Sequence, residues 1–222
     1  MERVNFDEVF RKFLEHRYSP SDDSFWAPQI GRYHASDMGK CVRSIYYKHV
    51  YGSKTNPGSY SNFHLGNRIE YIAQEALAHY FGWHYVKNSF RIRLDYRDFE
   101  IVGETDLLLL NNNFELETMF EIKSIKSLGY VRRKANDNNI MQVHAYMKAL
   151  KLNYCYIVYI QKSDMDVIGH LIEFDDQLYE EGLERLNLLH SCLVEENPPD
   201  PVPYMDRECG WCSYRPVCPG SK

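Results

Sequence analysis

Two short stretches carry side chains able to do chemistry together, GETD at 103–106 and FEIKS at 120–124. Both lie in segments where apolar and polar residues alternate, the period of a β-strand. Along FEIKS, Glu121 and Lys123 are two apart and share one face, while Phe120 and Ile122 take the other. Asp106, from the preceding strand, meets Glu121 across the ladder if the two strands are neighbours. Two carboxylates and an ammonium on one patch of sheet make an oxygen-only site suited to Mg2+ or Mn2+. Phosphodiester hydrolysis needs such a site: a divalent ion polarises the phosphoryl oxygen and activates water, and a cation holds that water and neutralises growing charge. An E-x-K pair on its own is an ordinary cross-strand ion pair. The remaining residues decide between the two.

Sulfur forms the second group. ECGWCSYRPVC places Cys209, Cys212 and Cys218 in one short segment, one thiolate fewer than a closed four-sulfur site requires. Half of the six cysteines are clustered at one end of the chain, which suits metal ligation in a reducing compartment better than a disulfide framework. Cys155, in the alternating aromatic stretch NYCYIVYI, and Cys192, on the apolar side of a helix, read as small buried hydrophobes. Cys41 lies in a polar approach, ASDMGKCVRSIYY.

The elements that must position these residues follow from periodicity. Phe6, Val9, Phe10, Phe13 and Leu14 form one stripe of an amphipathic helix over 6–17 that packs on the core. YSPSDDSFWAPQIGRYH reads as a loop, and Ser36 as the N-cap of a helix whose opening turns hold Cys41. A further helix spans FHLGNRIEYIAQEALAHYF, and three strands in an antiparallel meander follow from about residue 84. A long helix over about 127–150, two more strands, a helix over 176–193 and a proline-rich break, EENPPDPVPY, complete the chain.

With 222 residues, 44% of them hydrophobic, the chain can build a sizeable core. The longest apolar run, YCYIVYI, is too short to span a bilayer and the N-terminus is charged, so a cytoplasmic protein without membrane contact is expected. A net charge of −5 argues against bulk nucleic-acid packaging, while Lys123, Lys126, Arg132, Arg133 and Lys134 concentrate positive charge in KSIKSLGYVRRK. That run reads equally well as phosphate contacts or as a solvated surface.

GETD followed by EIK resembles the PD-(D/E)XK nuclease superfamily in order and spacing, and QVHAY resembles the Q-x-x-x-Y motif of its RecB-like branch, with Gln142 and Tyr146 one turn apart. That branch carries an upstream G-x-x-x-H whose histidine binds metal. Here GNRIE puts Glu70 at that position, itself a competent hard-ion ligand, with His64 as the fallback. The approach to Cys41 and the CGWCSYRPVC spacing are similar to the iron-sulfur members, in which one N-terminal cysteine joins three near the C-terminus. The resemblance implies a cluster on Cys41, Cys209, Cys212 and Cys218, 4Fe-4S ahead of 2Fe-2S, with zinc as the alternative.

Taken together over residues 36–218, the motifs resemble the CRISPR-associated RecB-like exonucleases, the "Cas-four" family. The implied fold is α/β, a restriction-endonuclease-like core with a central mixed sheet flanked by helices. Residues 1–200 would form the core, with Cys41 contributed to the cluster, and 201–222 the cysteine segment that completes an iron-sulfur lobe. Implied catalytic residues are Asp106, Glu121, Lys123, Gln142 and Tyr146, with Glu70, Asp106 and Glu121 holding Mg2+ or Mn2+ and Lys126, Arg132, Arg133 and Lys134 contacting DNA. The implied activity is metal-dependent exonuclease action on single-stranded DNA or single-stranded ends, 5′ to 3′, in CRISPR spacer acquisition alongside the spacer-integrase complex. The alternatives are a RecB-like nuclease of recombination, repair or phage DNA processing, and a non-catalytic DNA-binding adaptor.

Overall fold

The alternating segments of the sequence become the strands of one mixed sheet in a computed structural model, which describes residues 8–9, 12–14, 28–52, 59–200 and 208–218. The strands are β1 (Arg32–His34), β2 (Val86–Asp95), β3 (Glu100–Leu110), β4 (Leu116–Ile125), β5 (Tyr154–Gln161) and β6 (Val167–Glu173). Their order is β1-β3-β4-β5-β6, with β2 also paired to β3. The β2–β3 and β3–β4 pairs are antiparallel, as the meander predicts, and so is β5–β6, whereas β1–β3 and β4–β5 are parallel. The helices are α1 (Val42–Tyr51), α2 (Ser59–Phe81), α3 (Asp137–Leu150) and α4 (Asp176–Val194). The parallel β4–β5 pair needs a crossover, and α3 supplies it.

One face of the sheet, with Leu108, Met119, Cys155, Ile157 and Tyr159, packs against α1, α3 and α4. The other face is covered by α2, through Ile69 and Ala73 on Ile122 and Ile160, and through Leu77 and Phe81 on Leu107, Leu109 and Phe120. Each fully buried aliphatic side chain contributes roughly 1.5–3 kcal/mol of transfer free energy. Among the described residues no helix is long and apolar enough to cross a membrane.

Three expectations are corrected. The helix expected over 127–150 begins only at Asp137: Ser127 caps a 3-10 turn at Leu128–Tyr130, and the Asn136 side chain accepts from Asn138 N to start α3. Ser36 lies within a 3-10 turn, Ala35–Asp37, and the N-cap of the next helix is Cys41 itself. The loop read over YSPSDDSFWAPQIGRYH ends in a strand, β1, too short for its alternation to register, although Tyr33 within it is fully buried. The helix expected over 6–17 falls largely outside the described residues; 8–9 and 12–14 are helical.

Helix α3 carries Gln142 and His144 within a stretch buried without interruption from Ile140 to Met147. Buried polar side chains are tolerated where they find partners. His144 Nδ1 bonds Ile140 O at 2.7 Å and its Nε2 accepts from Asp175 N at 3.2 Å; burial keeps this ring neutral by lowering its pKa.

Candidate active site and cysteine recess

A strand has two edges, and those of β3 are unequally filled. β2 pairs along β3 from Glu100 to Leu109 and takes one edge. The other edge is shared: β1 takes Glu100–Val102 and β4 takes Leu107–Leu110. The residues left between them on that edge are GETD, 103–106. β4 in turn loses β3 after Phe120 and continues to Ile125 paired with β5 alone. Backbone groups facing this gap need other partners.

Side chains supply them. The Ile122 N–H donates to Asp106 Oδ2 at 2.6 Å, so the carboxylate takes the place of a strand partner. Tyr146 of α3 fills the other part of the gap: its ring lies against Gly103, where a Cβ would come 2.5 Å from Cε1, and its hydroxyl bonds the Glu104 backbone. Gly103 is therefore required by close approach. Gln142, one turn earlier, donates through Nε2 to Glu121 Oε1 at 2.8 Å and to the Tyr146 hydroxyl at 2.9 Å. From the opposite face, Gln74 of α2 donates to the Asp106 carbonyl at 2.9 Å and to Glu70 Oε1 at 3.2 Å. Lys123 Nζ lies 2.5 Å from Glu121 Oε1.

Asp106, Glu121, Lys123, Glu70, Gln142 and Tyr146 thus converge on one gap. Gln74 belongs with them and was not expected; its position four residues after Glu70, on the same helix face, is the signal that could have found it. His64 is not among the groups acting most strongly on Asp106, Lys123 or Glu70. Lys126, Arg132, Arg133 and Lys134 are exposed on the connection between β4 and α3, where Lys134 pairs with Asp137 at 2.5 Å.

Three carboxylates around one lysine leave the cluster short of positive charge. Burial, then the Glu121 charge, pushes the Asp106 carboxyl well above the usual carboxylate range, and the same causes raise Glu70. For Lys123, burial lowers the pKa, but Glu121, Asp106 and Glu70 outweigh it and hold the ammonium charged. Burial, then Glu121, raises the Tyr146 hydroxyl far above its ordinary value, so it stays protonated. Glu121 is 1% exposed, and its Oε2 has no hydrogen-bond partner among the described residues. A buried, unpaired carboxylate oxygen costs several kcal/mol in a low-dielectric site, and a hard cation relieves that cost. The donor set therefore fits Mg2+ or Mn2+ chemically, although among the described residues no three His, Cys, Asp or Glu side chains stand close enough together to grip an ion as they are.

The four cysteines singled out in the sequence line a single recess, beside Arg43 and Glu208. The Cys41 N–H donates to Glu208 Oε1 at 2.7 Å, and Arg43 Nη1 reaches Cys218 Sγ at 3.9 Å. Tyr214, buried between the second and third cysteines of the segment, donates its hydroxyl to Gly52 O at 2.7 Å. None of the six cysteines is in a disulfide, and Cys155 and Cys192 are buried in the core. Four thiols outside any disulfide, beside a guanidinium, fit a thiolate-held cluster or zinc by donor type, and their side chains must close in further to share one ion or cluster.

No protein-family model and no curated protein matches the sequence. Solved structures do match in fold. The crystal structure of SSO0001 aligns over 100% of both chains with a TM-score of 0.68 at 16% identity. An alkaline exonuclease, LHK-Exo, from Laribacter hongkongensis aligns with a TM-score of 0.57 at 18% identity, over 78% of this chain and 93% of its own. A phage-related exonuclease from Haemophilus somnus 129PT gives 0.54 at 16% identity, over 74% and 96%. The chain therefore has the α/β fold of these exonucleases, a central mixed sheet flanked by helices.

Proposed function

We propose that the chain is a divalent-metal-dependent deoxyribonuclease that degrades single-stranded DNA, or the single-stranded ends of DNA, from the 5′ end. The observation that carries this reading is the buried, unpartnered Glu121 Oε2 in a gap shared with Asp106, Glu70 and a charged lysine. Its fold, shared with named exonucleases, supports the same reading.

Asp106, Glu121 and Glu70 are the residues to hold Mg2+ or Mn2+, which when bound supplies a Lewis acid at the phosphoryl oxygen and a more acidic water. Lys123, held as an ammonium, orients the attacking water and favours its deprotonation by offsetting the negative charge that develops on it and on phosphate. Gln142 fixes the Glu121 rotamer through Oε1 and so leaves Oε2 to face the cation. Tyr146 keeps the gap at its width by resting on Gly103. Lys126, Arg132, Arg133 and Lys134 contact phosphates.

The recess is read as an iron-sulfur site on Cys41, Cys209, Cys212 and Cys218 that staples segment 201–222 to a core of residues 1–200. The order of motifs supports a role in trimming DNA for CRISPR spacers, next to the spacer integrase, ahead of recombination, repair or phage DNA processing. The acid and lysine set in the gap favours an enzyme over a DNA-binding adaptor.

The test is degradation of end-labelled single-stranded DNA with Mn2+, with EDTA, and by Lys123→Ala with Mn2+. Wild type should degrade only with the metal, and Lys123→Ala should be slower by about 10²–10⁴-fold. Equal rates for the two proteins would sink the reading.

A further inference from the structure

The connection from β4 to α3 starts three residues after Lys123 and returns the chain to Gln142, and it presents one aromatic ring to solvent. Tyr130 is 79% exposed, at the end of the 3-10 turn Leu128–Tyr130, and makes no ring contact among the described residues. An aromatic this open on a loose surface loop means little. This loop, however, is held at several points. Leu128, Val131 and Ala135 are buried on either side of the ring. Leu128 N donates to Gln161 Oε1 at 2.9 Å, Val131 N to Leu128 O at 3.0 Å, and Asn136 N to the Tyr159 hydroxyl at 2.9 Å, while Val131 O bonds His170 Nε2 at 2.7 Å. The ring is thus exposed by construction, on a frame tied to β5 and β6 of the sheet.

Charge flanks it along the chain. Lys126, Arg132 and Arg133 are exposed, and none forms an ion pair among the described residues. Cations without acidic partners among the described residues, within four positions of a solvent-facing ring, match the chemistry of a single nucleic-acid strand, whose phosphates seek the cations and whose unstacked bases seek a π-face. A duplex hides those faces in its own stack. Tyr130 follows Lys123 by seven positions, so their Cα atoms lie within about 25 Å, the reach of an extended chain. At about 3.4 Å per stacked nucleotide, that is a strand of about seven nucleotides.

We infer that Tyr130 is a base-stacking platform, a subsite for one unpaired base of a DNA strand whose phosphates lie on Lys126, Arg132 and Arg133. The subsite deepens the proposed deoxyribonuclease reading and rests on it. It also gives that reading a source of preference for single strands, because the ring is satisfied only by a base outside a duplex.

The probe is a fluorescein-labelled single-stranded oligonucleotide, with a second oligonucleotide of the same length carrying abasic sites throughout, titrated by anisotropy in Ca2+ to hold back hydrolysis. Tyr130→Ala should weaken binding to the base-bearing strand by about 5- to 100-fold, Tyr130→Phe should bind like wild type, and on the abasic strand the two variants and wild type should agree. The ring is exposed and its anchors are untouched, so the Tyr130→Phe control also reports on folding. Wild-type affinity in Tyr130→Ala, or an equal loss on the abasic strand, would overturn the subsite. Degradation by wild type in Mn2+ is scored on the same oligonucleotide, so an inactive wild type counts against the nuclease reading and an unaffected Tyr130→Ala counts against this one.

Discussion

The gap in β3 and the cysteine recess are built by opposite means. In the gap, each backbone or side-chain group is held by another from a different turn or element: Asp106 by Ile122, Glu121 by Gln142, Glu70 by Gln74, Gly103 by Tyr146. Sheet register and helix packing suffice to assemble it. The recess joins segments more than 150 residues apart in the chain through a few polar links, chiefly Cys41 N–H to Glu208 and Tyr214 to Gly52. Three of its four cysteines are only half-buried. The first site is preorganised by the core, whereas the second touches the core through Cys212, Tyr214 and Cys218, and the proposed cluster would draw its thiolates together.

The largest expected effect follows from that difference. With the proposed cluster in the recess, Cys212→Ser should yield protein without iron or colour, and amide exchange over 208–218 should rise to nearly unprotected rates while amides of β3 and β4 stay protected. A recess that remains protected without a bound cluster or metal would remove the contrast. A smaller effect is expected from the gap itself. Gly103→Ala drives a Cβ into the Tyr146 ring. It should cost about 1–3 kcal/mol of stability, read from denaturant midpoints, and slow DNA degradation while leaving amide protection over 208–218 unchanged.

Much of the architecture was legible in the sequence, for reasons that differ by region. Strands β2 to β6 and the carboxylate–lysine set could be read because period-two alternation fixes faces, and Glu121 and Lys123 must then point together. Two features lay beyond such reading. The gap exists because β1, three residues long, claims one end of an edge whose other end belongs to β4, and that sharing is a long-range pairing with no local pattern. The start of α3 was misjudged because Asn136 and Ser127 act through caps, and RRKAN within an otherwise helical run does not advertise a loop. The convergence of the four cysteines could be anticipated only through resemblance, since nothing in the spacing ties residue 41 to residues 209–218.

The account's central claim is that chemistry occurs in the β3 gap and that Asp106 serves both as a cap on β4 and as a metal ligand. Single-turnover degradation of end-labelled single-stranded DNA in Mn2+ by Asp106→Asn tests it most directly, because the amide oxygen can still accept from Ile122 N while the negative charge is gone. The expected result is a rate about 100-fold or more below wild type in a protein that keeps its melting temperature. Degradation at the wild-type rate would contradict the claim.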